Sequence, residues 1–135
     1  RDKPGIVTGQ GKDVPWEDGY WLGKAANEGE GQYIPTRIAD ALRGREFKRF
    51  SDLQSAIWKE VAKEPELMKQ FDLRAQKIIQ SGDAPFCRAR EQVGKRGRFE
   101  LHHIIQIQHG GDVYNLDNIR INTVRNHIRI HSSVK

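Results

Sequence analysis

The chain has 135 residues, 30% of them charged and 36% hydrophobic, with a formal net charge of +5. This suits one soluble domain with a modest core, residues 1–135, and excludes a disordered or collagen-like chain. No run of about 18 apolar residues exists, so no membrane-spanning segment is expected, and the single Cys87 excludes an internal disulfide and a four-cysteine zinc framework.

The first stretch, "RDKPGIVTGQGK", has no apolar signal-peptide core and starts at Arg1, not Met, which suits a segment of a longer chain. Residues 1–19, rich in glycine and proline, read as an irregular arm tied down by Trp16, Tyr20 and Trp21. A helical region is expected over residues 20–82. A short helix is placed near "GYWLGKAANEG". "IPTRIADALRGREF" predicts a helix from Pro35 with Ile38, Ala41 and Leu42 facing inward and Gly44 closing it. "FSDLQSAIWKEVAKEPELMKQF" is the clearest helix, with Ser51 as N-cap and Leu53, Ile57, Trp58 and Val61 as its apolar stripe. Pro65 stops it or starts a further turn. "LRAQKIIQSG" predicts another short helix ended by Gly82, and residues 83–98 read as loop.

The last third changes character. "RFELHHI" and "NIRINT" predict strands, "HGGD" a turn, and Thr123 an N-cap for a final helix over "VRNHIRIH". The fold class is therefore α+β, with an α-rich front half and a C-terminal strand–loop–strand–helix unit. Within that unit "HIRIH", residues 127–131, is ambiguous. Period 2 makes it a strand; period 3.6 puts His127 and His131 side by side on a helix.

Charge is unevenly spread. Residues 1–71 are net neutral, residues 72–98 carry an excess of four positive charges, and residues 99–135 an excess of one. A basic segment just upstream of the histidines suits a phosphodiester partner, although a solvated basic loop has the same composition. All five histidines lie between residues 102 and 131, in the pattern H-H-x14-N-x8-H-x3-H with His109 outside it. A helix giving two imidazoles and a strand giving a third make a three-ligand site with open positions, the layout of a catalytic metal. Adjacent strand histidines point to opposite faces, so one can bind metal while the other serves as general base. Glu100 can orient a ligand histidine or fix Arg96, and Arg96 suits a bidentate grip on phosphate.

"ELHHIIQIQHGGDVYNLDNIRINTVRNHIRIH" resembles the HNH (ββα-metal) nuclease motif, placed at residues 99–135. "KPGIVTGQGK", "IPTRIADALRGREF", "FSDLQSAIWKEVAKEPEL" and "GDAPF" extend the resemblance to the DNase domains of E-group colicins and S-type pyocins, over nearly the whole chain. The resemblance implies His102, His127 and His131 as metal ligands and His103 as the base that activates water. It implies Asn118 as the brace of the loop and the base histidine. Arg96 and Glu100 become an interacting pair near the scissile phosphate, and Arg1 a phosphate contact. One divalent metal ion is implied, with zinc, nickel, cobalt or magnesium all open. Double-stranded DNA is the implied substrate, cut with little sequence preference. A small acidic immunity protein is the implied inhibitor, docking on the exosite at residues 72–98 around Phe86, with Asp72, Lys77, Ile78, Ala84 and Arg98 beside it. Such a domain would be monomeric alone, released by the producing bacterium and active in the cytoplasm of the target bacterium.

Two departures from the family pattern fall outside the ligand set: Gln106 where a proline often follows the paired histidines, and Thr123-Val124 where Thr-Pro often opens the last helix. His109 is extra and is expected to face solvent. Cys87 is expected to be a small buried or half-buried thiol. A ribonuclease toxin domain and a non-catalytic nucleic-acid-binding module with a structural zinc remain the alternatives.

Overall fold

The computed structural model describes residues 3–133, and Arg1 lies outside the described residues. The arm is not irregular throughout. Its strand β1 (Gly5–Ile6) pairs antiparallel with β3 (Glu46–Phe47). Backbone bonds then tie Thr8 to Tyr114 and Leu116, and the Asp117 carboxylate accepts from the amides of Gln10 and Gly11 at 2.9 and 2.8 Å. Of the aromatic anchors expected for the arm, Trp21 is buried and meets Trp58 edge-on, and Trp16 is half-buried. Tyr20 corrects the expectation: it is 48% exposed and holds nothing down.

A 3-10 turn at Lys24–Asn27 leads to β2 (Gln32–Tyr33), α1 (Thr36–Leu42), β3, α2 (Phe50–Val61), α3 (Pro65–Met68) and α4 (Leu73–Gln80). Pro35 sits in extended backbone at the start of α1, and Gly44 follows its end with φ +86°. The inward face of α1 is Ile38, Ala39 and Leu42; Ala41 is exposed, because Ala39 and not Ala41 lies one turn from Leu42 on the core side. In α2 the buried stripe includes Leu53, Ile57, Trp58 and Val61 as periodicity requires. The helix begins two residues earlier than capping chemistry suggests: Arg49 is the cap residue and Ser51 lies inside the first turn. Phe50 accounts for this. It is buried against the His103 and Tyr114 rings, and bringing it into the helix places it there.

Residues 83–98 are loop for the most part, stiffened by isolated bridges between Phe86 and Arg98 and between Val93 and Arg96, with a 3-10 turn at Ala89–Glu91. Then come β4 (Glu100–His103), β5 (Ile119–Asn122) and α5 (Val124–Ser133). β4 and β5 are antiparallel, and His102 faces Arg120 in register while His103 faces Ile119. β2 adds a third antiparallel strand on the other edge of β5, giving the order β2-β5-β4. That strand was not expected from the sequence. A single hydrophobic cluster joins the front half to this sheet, from Val7 and Trp21 through Ile57 to Ile121 and Val124.

Only Thr123 separates β5 from α5. Its Oγ1 accepts from the Asn126 amide at 3.1 Å, the predicted N-cap contact. The buried Asn122 and Asn126 bond to each other and donate to the carbonyls of Glu30 and Gly29, so the turn before β2 is fastened to the β5–α5 junction. Gly31 makes this close approach possible. Its φ is +101°, and a Cβ there would lie 2.5 Å from Asn122 Nδ2 and 2.6 Å from the Ile121 carbonyl.

Gly31→Ala is expected to destabilise the fold by about 1–3 kcal/mol. Gly44→Ala, also at positive φ but with open space around the added methyl, should cost less. Urea unfolding of the two variants against the parent checks the order; equal midpoints would remove the packing argument.

Candidate metal centre

α5 carries His127 and His131 one turn apart, and their Nε2 atoms lie 3.0 Å from each other. β4 brings His102 beneath them, with ring centroids 5.2 Å and 5.5 Å away. One nitrogen from each of the three rings falls in a set within 4.8 Å, and among the described residues no other histidine, cysteine or carboxylate joins it. The helix reading of "HIRIH" is therefore the observed one. Ile128 packs against the core and Ile130 is half-buried.

Three facing imidazoles fit a divalent ion. Two ring nitrogens at 3.0 Å need a shared proton or cation between them, and nitrogen donors suit zinc, nickel and cobalt. A carboxylate fixes one ring: Glu100 Oε1 lies 2.8 Å from His127 Nδ1, which leaves Nε2 toward the cluster. The same carboxylate takes the Arg96 guanidinium by its Nε and Nη2 hydrogens. Burial raises the Glu100 carboxyl, but the bonds from Arg96 and His127 outweigh it and hold the group below the usual carboxylate range. Burial pulls His127 below the ordinary imidazole value against the opposing effect of Glu100, and the neighbouring histidines add to the lowering. Burial and the neighbouring histidines both favour the neutral ring, the state a metal ligand needs.

A second carboxylate is present that the sequence did not reveal. Glu30 Oε2 lies 2.8 Å from His102 Nε2. Glu30 is 72 positions away in the chain, and no spacing within the histidine motif points to it.

His103 is buried beside Phe50, with ring centroids 4.9 Å apart, and its Nε2 lies 3.1 Å from the Val113 carbonyl. Asn118 closes the loop between the strands: its Oδ1 accepts from the Ile105 amide, and its Nδ2 donates to the carbonyls of Ile105 and Asp112. It bears on His103 through the loop, since the carbonyl that holds His103 belongs to the residue after Asp112. A cleft of about 210 Å³ opens over His102, His103, His127 and His131. A neighbouring cleft of about 580 Å³ shares Leu101 and His127 with it and contains Arg96, Arg98 and Glu100. His109 is exposed, next to Gln108.

The segment before β4 presents Phe86, 47% exposed, with the Arg98 guanidinium 4.4 Å from its ring centroid. Arg98 also donates to the Ala84 carbonyl. Asp72 caps α4 by accepting from the Ala75 amide. Asp72, Ile78 and Phe86 line one groove of about 390 Å³, while Ala84 and Arg98 face the larger cleft and Lys77 is exposed outside both. Cys87 is buried, and burial pushes its thiol up to about 11, which makes it unreactive near neutral pH.

Residues 5–133 match the family described as the Colicin/Pyocin-S2 DNase domain. The chain is 49% identical over 129 residues to colicin E2 of Escherichia coli, covering 96% of this chain and 22% of that one. It is 45% identical to pyocin S2 of Pseudomonas aeruginosa, over 100% of this chain and 19% of that one. The chain therefore spans about a fifth of the length of these relatives. Among solved structures, the pyocin AP41 DNase–immunity complex superposes with a TM-score of 0.91 at 36% identity, covering 98% of this chain and 100% of that chain. The mutant nuclease domain of pyocin S8 with its cognate immunity protein gives 0.88 at 42% identity, over 95% and 99%.

In the metal-free protein, proton NMR should find His127 titrating below the ordinary imidazole value. Because Glu100 favours the protonated ring, Glu100→Gln should lower that titration further. A His127 that titrates higher in the variant would contradict the assigned contact.

Proposed function

Because the chain belongs to the Colicin/Pyocin-S2 DNase-domain family, we propose that it is a metal-dependent HNH endodeoxyribonuclease of residues 1–135, the cytotoxic domain of a bacteriocin. The single observation that carries the catalytic reading is the three-histidine cluster with His103 beside it on the same strand. His102, His127 and His131 would hold one divalent ion, which when bound would supply positive charge to offset the charge that builds up during phosphodiester hydrolysis. His103 accepts the proton of the attacking water. Its contact to the Val113 carbonyl supports this: an Nε2–H donated there puts the lone pair on Nδ1. Asn118 keeps that carbonyl in place by closing the loop.

Glu100 links the two halves of the site. It orients His127, and it holds Arg96, half-exposed at the cleft, to meet the phosphate. Arg1 is a further phosphate contact in this reading. Contacts of this kind address the backbone of double-stranded DNA and carry little sequence information. The ion is zinc, nickel, cobalt or magnesium; the all-nitrogen donor set favours the first three.

The partner is a small acidic immunity protein; two similar domains of solved structure are in complex with immunity proteins. The basic excess at residues 72–98 and the exposed Phe86 ring with Arg98 stacked on it support this docking face. Asp72 and Ile78, which share a groove with Phe86, set the choice of partner together with Lys77 and Ala84 of the same segment. The domain is released by the producing bacterium as part of a longer chain and acts in the cytoplasm of the target bacterium.

Supercoiled plasmid should be nicked with added metal, and EDTA should abolish the nicking. His103→Ala should lower the rate by about 10²–10⁴-fold, the usual worth of a general base. Metal-independent cutting, full activity in His103→Ala, or cleavage of RNA with DNA left intact would overturn the reading. For the partner, Phe86→Ala should weaken immunity-protein binding by about 2 kcal/mol or more, the scale of an aromatic hot spot, without changing plasmid nicking. Calorimetry of the complex checks it, and unchanged affinity would move the interface elsewhere.

A further inference from the structure

Glu30 lies outside the histidine motif, yet its carboxylate is 2.8 Å from Nε2 of His102, a ring only 4% exposed. A surface carboxylate on a mobile loop would mean little here, because exposed ion pairs contribute little. The loop is not of that kind. The buried Asn122 donates to the Glu30 carbonyl at 2.9 Å, and the buried Asn126 donates to the Gly29 carbonyl at 3.1 Å. Arg120, directly across the ladder from His102, donates to the Gly31 carbonyl at 3.3 Å while its guanidinium stacks on Tyr33. Three consecutive carbonyls are thus held by side chains of β5 and α5, and the side chain between them is delivered to His102.

Glu30 does not belong to the set of groups within 4.8 Å. It bears on the centre through His102 and not from beside the three nitrogens. We propose that Glu30 is a positioning residue for the metal centre: its carboxylate accepts the Nε2 hydrogen of His102 and presents Nδ1 of that ring to the ion. This inference rests on the metal-site reading above. It pairs with the contact from Glu100 to His127, so that two of the three ligand rings are each oriented by a carboxylate, one from β4 and one from the turn before β2. A carboxylate behind a ligand imidazole fixes its tautomer and makes the ligating nitrogen more basic, so it acts on metal affinity first.

Zinc affinity measured by competition with a chromophoric chelator tests this on the purified domain, with Glu30→Ala and Glu30→Gln beside the parent. Glu30→Ala should bind zinc about 10- to 100-fold more weakly, with an unchanged melting temperature in the metal-free state. Glu30→Gln, which keeps a neutral acceptor of the same length, should lose less. At saturating cobalt, the visible absorption of both variants should match the parent. Parental zinc affinity in both variants overturns the role. An altered cobalt spectrum overturns it too, since it would make Glu30 a direct ligand. A parent chain that binds no zinc or cobalt would instead defeat the metal-site reading, and this inference with it.

Discussion

The site depends on the junction between β5 and α5. One residue, Thr123, turns the chain from strand to helix, and its hydroxyl caps the helix by accepting from the Asn126 amide. With so short a link the helix must lie over the sheet it has just left, and its second turn falls above β4. His127 and His131 therefore meet His102 by connectivity. The flanking Asn122 and Asn126 are fully buried amides, which would be costly if unpaired. Each finds its partners in the other and in the carbonyls of the turn before β2. The same bonds that satisfy them fasten the front half of the chain to the helix that carries His127 and His131.

Glu100 shows how few groups the chemistry requires. It is the first residue of β4, bonds a ring on α5, and receives the guanidinium of Arg96 from the preceding loop. Displacing it would disturb both the orientation of the His127 ring and the position of the Arg96 guanidinium beside the cleft. Effects at Arg96 and His127 are thus expected to be coupled, not additive. Its low carboxyl pKa follows from that double engagement, which outweighs the burial that opposes it.

The three-histidine cluster was legible because its ligands lie close in sequence and the two elements that carry them have plain periodicity. The pairing of Glu100 with Arg96 was legible for the same reason. What escaped notice was held by distant chain. β2 is two residues long, too short for alternation to register, and Glu30 reaches His102 only because that strand joins the sheet. The start of α2 was misplaced because the burial of Phe50 overrides the capping preference of Ser51. In α1 the choice between Ala39 and Ala41 turned on which side of the helix faces the core, which two alanines in a short segment cannot declare. Tyr20 was given an anchoring role on its chemistry, but it is left exposed, while Trp21 is buried and Trp16 packs against the core.

The clasp between the two ends of the chain bears on how the domain comes into being on a ribosome. Thr8, Gln10 and Gly11 close onto residues 114–117, and the turn at 27–31 closes onto α5, whose last histidine is residue 131. These closures span most of the polypeptide, and long closures form late because the entropy of bringing distant ends together must be overcome before any contact repays it. A nascent chain that lacks α5 has neither His127 nor His131, and its front half has no junction to grip. His102, His127 and His131 come together only once α5 is in place.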